Sequence, residues 1–113
     1  MVRARKITDN MAIAAAESLA KYAEKRGMNK DNIIPKMDES AVFPEEAADV
    51  AMQAIKDGVA RVKVTREEAF EIAKKDIDYA RGLTHHLMDE NYIEKVPQQL
   101  LDDALKAAVD AVK

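Results

Sequence analysis

Six helix-breaking residues divide this 113-residue chain into segments of helix-forming composition, and this division constrains the fold more than any other feature. Between the glycines and prolines the chain is dominated by Ala, Glu, Lys and Met, which all favour helices. No alternation of apolar and polar residues is long enough to define a sheet. The sequence therefore predicts a mainly α-helical chain of about four amphipathic helices with short connectors. The breakers are Gly27, Pro35, Pro44, Gly58, Gly82 and Pro97.

Two helices are predicted within residues 1–62. Thr8 is placed to cap the first helix, and Gly27, which follows two cations, is placed to end it. Pro44 suits the first turn of the second helix, and Gly58 suits its C-terminus. Apolar residues recur at helical spacing in both segments, so each helix is expected to bury one face.

Two short segments in this half are ambiguous. Ile33 and Ile34 precede Pro35, which biases Ile34 to extended geometry, so they form either a short strand or a buried loop anchor. Val62 and Val64 alternate with charged residues and indicate extended chain. This second segment is too short to define a sheet.

Two further helices are predicted within residues 63–113. Thr65 and Glu68 form a capping-box pattern at the start of the third helix, which ends or kinks near Gly82. Residues 83–96 suit either a short helix or a loop, and Pro97 opens the last helix. One face of this last helix is apolar, and it consists of Leu100, Leu101, Ala104, Leu105, Ala108 and Val112.

The composition predicts a thin core and excludes several classes of protein. Twenty of the 54 apolar residues are alanine, and Leu, Ile, Val and Phe together number 25. A net charge of −3 argues against a nucleic-acid partner, which favours a basic surface. The chain has no cysteine, no apolar run of membrane-spanning length, and no signal-peptide pattern at its N-terminus. We therefore expect a cytoplasmic protein that binds neither membranes nor nucleic acids.

No set of residues predicts a catalytic, cofactor-binding or metal-binding site. His85 and Asp89 are four residues apart and could share one ion, but adjacent His86 lies about 100° away around a helix. The glycines lie 31 and 24 residues apart, which excludes a phosphate-binding glycine loop. The other charged groups considered are interpreted as solvated surface or docking termini, and they are Glu67, Glu68, Asp102, Asp103, Arg3, Arg5 and Lys6.

Two stretches resemble the C-terminal part of the small bacterial and archaeal malic enzymes. The first is residues 2–11, with the sequence VRARKITDNM, followed by the Ala-rich first helix. The second combines Ile33-Ile34-Pro35, Asp38, Val42-Phe43-Pro44 and the helix over residues 47–61. Where that family usually carries a small residue, a proline and an aromatic residue, this chain has Lys36 and Met37.

The resemblance implies that residues 1–62 are a malic-enzyme-like C-terminal segment of an α/β Rossmann-type enzyme, and that residues 63–113 are a helical extension. Such enzymes oxidatively decarboxylate malate to pyruvate and CO2 with NAD(P) and Mg²⁺ or Mn²⁺. The family's catalytic, metal-binding and dinucleotide-binding residues lie upstream, so none corresponds to a numbered residue here. The implied partners are the upstream domains of the same enzyme or a homo-oligomer partner. The alternative interpretation is an independent helical protein-interaction module.

Overall fold

Four helices make up the regular structure in the computed structural model, which describes residues 1–112. They are α1 (Asp9–Arg26), α2 (Val42–Lys56), α3 (Arg66–Asp89) and α4 (Gln98–Ala111). Between residues 1 and 112 there is no strand, only an isolated bridge between Asn29 and Asn32. The predicted mainly α-helical fold is thereby confirmed. None of the helices in this range is long and apolar enough to cross a membrane.

The chain forms two compact units, whose boundary lies inside α3. The first unit comprises residues 1–79, and the second begins at Ala80.

The predicted ends of α1 are confirmed by its capping geometry. Thr8 has extended backbone, and its Oγ1 accepts a hydrogen bond from the Met11 amide at 3.2 Å. Gly27 has a φ of +92°, which L-residues with a side chain rarely adopt, and its N–H donates to the Glu24 carbonyl. Asp9 in the first turn and the cations in the last turn both complement the helix dipole.

Helix α2 begins at Val42, two residues before Pro44. Pro44 therefore lies within the first turn, where its missing N–H costs no intrahelical hydrogen bond. The helix ends as predicted before Gly58, which has a φ of +69° and donates its N–H to the Ile55 carbonyl.

The core of the first unit lies where α1 and α2 pack together, with the start of α3 and the N-terminal segment closing it. The N-terminal segment is attached by its backbone, because Arg61 and Val62 both donate to the Val2 carbonyl and Arg5 donates to the Val59 carbonyl. Most buried side chains are small, so the backbones can approach closely. The core cluster consists of Val2, Met11, Ala48, Ala51, Ala54, Val59 and Ala69.

The prediction that Ile33 and Ile34 form a strand or a buried anchor is wrong. Both side chains are exposed, by 63 % and 69 % respectively. Polar bonds hold the loop instead, since the Arg26 guanidinium at the end of α1 binds the Glu39 carboxylate and the Asn32 side-chain oxygen. The loop geometry therefore does not depend on burying the isoleucines.

The start of α3 agrees with the predicted capping box. The Glu68 amide donates to Thr65 Oγ1 at 3.1 Å, and the Thr65 amide donates to Glu68 Oε2 at 2.8 Å. Of the two alternatives predicted near Gly82, an end or a kink, the end is wrong, because α3 continues through Gly82 to Asp89. A single glycine weakens a helix by only about 1 kcal/mol relative to alanine, which does not stop it.

Helix α3 ends at a different signal. Asn91 adopts a left-handed conformation with a φ of +61°. The amides of Tyr92 and Ile93 then both donate to the Leu87 carbonyl, which closes the end of the helix. Asparagine tolerates this conformation better than most residues do, so the signal was present in the sequence.

Within the second unit, α4 has the predicted start but an uncovered apolar face. Pro97 is its N-cap, and none of its residues is buried. Among residues 80–112 only Leu87 and Met88 are half-buried, and all others are exposed. This unit has no buried core of its own in the described chain.

Candidate functional site

The most elaborate polar cluster in residues 1–112 is centred on Asp57, at the end of α2. Its carboxylate accepts hydrogen bonds from Thr8 Oγ1 at 2.5 Å, from Gln53 Nε2 at 2.7 Å and from Asn10 Nδ2 at 3.2 Å. Thr8 and Asn10 belong to the start of α1, whereas Gln53 lies one turn before Asp57 on α2. The cluster therefore joins the N-terminus of one helix to the C-terminus of the next.

These hydrogen bonds stabilise the ionised form of the carboxyl group. The bond from Thr8 is the largest cause that lowers the pKa of Asp57 below its ordinary 3.8, with smaller contributions from Asn10, Gln53 and the charge of Lys56. Partial desolvation opposes this effect. Asp57 is therefore ionised at neutral pH and unsuited to act as a proton donor.

An open groove of about 220 Å³ runs beside this cluster. Its residues include no nucleophile paired with a base, and the carboxylate oxygens are already occupied by three donors. We interpret the cluster as a junction between helices. The lining residues are Asn10, Ile13, Ala14, Glu17, Gln53, Lys56 and Asp57.

A second polar junction fastens the start of α3 to α2. The Arg66 guanidinium binds Glu45 at 2.6 Å and Asp49 at 3.0 Å, one turn apart on α2. The bond to Glu45, followed by that to Asp49, raises the pKa of Arg66 above its usual value. Because this cation is already paired with two carboxylates, it has little capacity left for an anionic ligand.

The third polar cluster is the loop clamp at Arg26. Glu39 accepts hydrogen bonds from the Lys36 amide and from the Arg26 guanidinium. Both bonds lower the pKa of its carboxyl group below the usual 4.5, and the bond from Lys36 has the larger effect. The Arg26 Nε atom is buried without a hydrogen-bond partner. This cluster also positions backbone and presents no free reactive group.

The structure does not bring the sequence-predicted candidates together. His85 and His86 are both exposed. Asp102 and Asp103 accept hydrogen bonds from Gln98 and Gln99 of the same helix, each at 2.9 Å. No group of three or more His, Asp or Glu side chains able to hold a metal ion occurs in residues 1–112.

The charged N-terminus likewise forms no cluster. Arg3 has a left-handed φ of +47°, and the Arg5 amide donates to the carbonyl of Val59, which follows the end of α2. Asp57 and Arg66 were not predicted as polar junctions, because the partners that join them to other helices lie 17 to 49 residues away along the chain. Such separations leave no local pattern, although Thr8 itself was recognised as a cap.

Comparison with known proteins gives the deciding observation. No protein-family model matches the chain. Its sequence is 57 % identical to that of Entamoeba histolytica malic enzyme, whose crystal structure is known. The match covers 99 % of this chain, and the two structures superpose with a TM-score of 0.88. The chain is homologous to a segment of the malic enzymes. It is also 38 % identical to the malic enzyme of Pyrococcus horikoshii over 79 % of its length, with a TM-score of 0.69.

A curated relative gives the same family. The bifunctional malic/malolactic enzyme of Bacillus subtilis is 38 % identical over 74 residues, which is 66 % of this chain. The chain spans about a fifth of each malic enzyme that it matches, between 18 % and 23 % of their lengths. The 99 % coverage in the Entamoeba malic enzyme means that nearly all of both units has a counterpart there.

Proposed function

We propose that this chain serves as the C-terminal segment of a malic enzyme, in which it is structural, and that it is inactive by itself. The reaction of the whole enzyme is the oxidative decarboxylation of malate to pyruvate and CO2, with NAD(P) as the electron acceptor. The observation that carries the proposal is the 57 % identity with the Entamoeba malic enzyme over almost the whole chain. We place the enzyme in the cytoplasm.

The described residues do not fit the cofactors of this reaction. A dinucleotide pyrophosphate needs a glycine loop for close backbone approach, and the three glycines here lie on separate elements. The acids of residues 1–112 form no cluster of metal-binding size. We therefore assign NAD(P) and Mg²⁺ or Mn²⁺ to other parts of the enzyme and derive no catalytic step from this chain.

We also propose that the part common to malic enzymes in general is residues 1–62, with residues 63–113 as an extension present in a subset. In support, the matched share of this chain falls from 99 % in the Entamoeba enzyme to 79 % in the Pyrococcus enzyme and to 66 %, or 74 residues, in the Bacillus enzyme. Each match is longer than residues 1–62, and two of the three leave part of the chain unmatched. The compact units divide at a different place, after Tyr79, because α3 continues the first unit beyond the extension's proposed start. The partners of the segment would be the remaining domains of the enzyme or a second subunit.

A chimera tests the proposed function directly. The segment of the Entamoeba malic enzyme that this chain matches is replaced by this chain, and malate-dependent reduction of NAD and NADP is measured with Mg²⁺ or Mn²⁺. We expect the chimera to retain activity. The matched control carries Ala54→Asp, which places a charge in the fully buried core and is expected to abolish folding of the segment. A folded chimera without activity, beside an active parent enzyme, would contradict the proposal.

The isolated chain provides the complementary measurement. The purified 113-residue protein should show no malate-dependent NAD(P) reduction above the no-protein control. Activity that disappears on His85→Ala or His86→Ala would instead indicate a free-standing enzyme. The alternative of an independent interaction module predicts a cooperatively melting chain whose gene carries no upstream dinucleotide-binding region.

A further inference from the structure

A cavity of about 470 Å³ lies between the second half of α1, the first half of α2 and the start of α3. It belongs entirely to the first unit, and its volume falls within the range of small-molecule sites, about 300–1,000 Å³. The residues that α1 contributes are spaced i, i+3, i+4 and i+7, so they lie on one side of that helix. They are Ser18, Lys21, Tyr22 and Lys25.

Ser18 is the one buried polar residue among residues 1–112, with 4 % of its surface exposed. Its hydroxyl has no hydrogen-bond partner in this part of the chain, whereas the Thr84 hydroxyl of α3 donates to the carbonyl four residues earlier. The Ser18 hydroxyl is also not completely enclosed, because the one completely buried side-chain atom without a partner in the same range is Arg26 Nε. Burying a hydroxyl without a partner costs free energy, and an acceptor in the cavity would recover it.

The cavity is more positive than the chain as a whole. Its lining carries three cations and two carboxylates, whereas the chain has a net charge of −3. Both carboxylates, those of Glu45 and Asp49, are bound to the Arg66 guanidinium, at 2.6 and 3.0 Å respectively. The two lysines of α1 are therefore not the principal partners of these acids.

The two lysines are also held loosely by other groups. Lys25 forms no ion pair within residues 1–112. Lys21 pairs with Glu17 at 3.6 Å, but the two side chains are 71 % and 63 % exposed, and such surface pairs contribute little. The α1 wall of the cavity thus offers two ammonium groups and two hydroxyl groups as hydrogen-bond donors.

A donor set of this kind suits a phosphate group. The phosphate oxygens accept hydrogen bonds in several directions, and lysine binds phosphate as a point charge, whereas a carboxylate is best matched by the planar fork of arginine. Tyr22 and Phe70 add aromatic carbon to the lining, which suits an apolar part of the same ligand. A protein surface fits the cavity less well, because lysine and serine are depleted in the cores of protein interfaces.

We propose that this cavity binds a small organic phosphate, with the apolar part of the ligand against Tyr22 and Phe70. Ser18, Lys21 and Lys25 donate hydrogen bonds to the phosphate oxygens. The site rests on the lining of the cavity and not on the proposed function, so it can hold or fail independently of malic enzyme activity.

Calorimetric titration of the 113-residue protein with phenyl phosphate, at constant ionic strength, is the first test. We expect saturable binding. Lys25→Gln should weaken it by at least about tenfold, because a charge-assisted hydrogen bond is lost. Lys6→Gln removes the same charge before the opposite end of α1 and should leave the affinity unchanged. Absence of saturable binding, or equal losses in the two variants, overturns the proposal.

Ser18→Ala separates a role in binding from a role in the fold. Without ligand the substitution removes only an unpartnered hydroxyl, so the melting temperature should stay the same or rise. The affinity for phenyl phosphate should fall by about fivefold, the equivalent of one ordinary hydrogen bond. A variant that binds phenyl phosphate as tightly as the wild type contradicts the proposal.

Two further probes test the class of ligand. Inorganic phosphate lacks the ring, and phthalate carries a ring with two carboxylates in place of the phosphate, so both should bind more weakly than phenyl phosphate. Phthalate that binds as tightly as phenyl phosphate contradicts the phosphate assignment. Inorganic phosphate that binds as tightly contradicts the apolar contact with Tyr22 and Phe70.

Discussion

At the scale of single residues, Asp57 joins parts of the chain that the sequence separates widely. It accepts hydrogen bonds from Thr8, 49 residues away, and from Asn10, 47 residues away. Asp57→Ala removes the acceptor for three donors, so we expect the melting temperature to fall. Asp76→Ala removes an exposed carboxylate from α3 and should change the melting temperature far less. Equal melting temperatures for the two variants would show that the junction contributes no stability.

The same carboxylate makes the stability depend on pH. The pKa of Asp57 is lower in the folded chain than its ordinary value of 3.8, so ionised Asp57 stabilises the fold fully above about pH 3.8. This stabilisation is lost as the pH falls from there through the lowered pKa. We therefore expect the difference in unfolding free energy between wild type and Asp57→Asn to shrink between about pH 5 and pH 2. Urea titrations at several pH values measure it, and a pH-independent difference would contradict the assignment.

Thr65 provides a test of a local interaction. Thr65→Ala removes the acceptor for the Glu68 amide at the start of α3, and we expect a loss of about 1 kcal/mol of unfolding free energy. Thr84→Ala is the matched control, because that hydroxyl only donates back to the Ala80 carbonyl within the helix. Its removal should be neutral or slightly stabilising. The pair is compared by chemical denaturation, and equal losses would contradict a capping role for Thr65.

Residue contacts were predictable from the sequence only where both partners are close along the chain. Thr65 and Glu68 are three residues apart, so the capping box is visible as a motif. Arg66 pairs with carboxylates 17 and 21 residues away, and Asp57 with donors of the preceding helix. These pairs exist only after the helices have packed, and no local pattern indicates them.

At the scale of helices, the contact between α1 and α2 depends on small side chains. Ala48 and Ala54 are completely buried, and Ala51 is nearly so. Ala54→Leu forces three additional carbons into this contact, which we expect to cost about 1–3 kcal/mol of unfolding free energy. Ala16→Leu makes the same change at an exposed position of α1 and should be close to neutral. Similar changes in melting temperature for the two variants would show that the contact between α1 and α2 is loosely packed.

The helices were predictable to different degrees, and the reasons are physical. Capping residues and periodicity located α1 and the start of α3 well, because these signals are local and stereochemical. The predicted end at Gly82 failed because a glycine permits a helix to end but does not require it. The expected burial of Ile33 and Ile34 failed because polar bonds from Arg26 determine the course of the loop. The hydrophobicity of a loop residue alone does not reveal whether its burial or the polar bonds around it determine the course of the loop.

At the scale of the whole molecule, the buried residues are confined to the first unit. They run from Val2 to Ala73, and none lies after that in residues 1–112. A chain that ends at Tyr79 should therefore keep the melting temperature of the full protein within a few degrees. A chain that ends at Val64 loses Ala69 and the Arg66 ion pairs, and it should melt much lower. If both truncations melt alike, the start of α3 does not belong to the core.

The alanine core has a consequence for how such a segment can evolve. In an ordinary core, large side chains can be exchanged for smaller ones, and a neighbouring enlargement can later refill the space. Here the core side chains are already the smallest ones above glycine, at Ala48, Ala51, Ala54 and Ala69. A substitution that reduces side-chain volume can therefore remove only a single methyl group. We therefore expect accepted substitutions at these positions to be restricted to glycine, serine and little else. We expect these four sites to change more slowly during evolution than the apolar positions of α4, whose side chains are exposed in the described part of the chain.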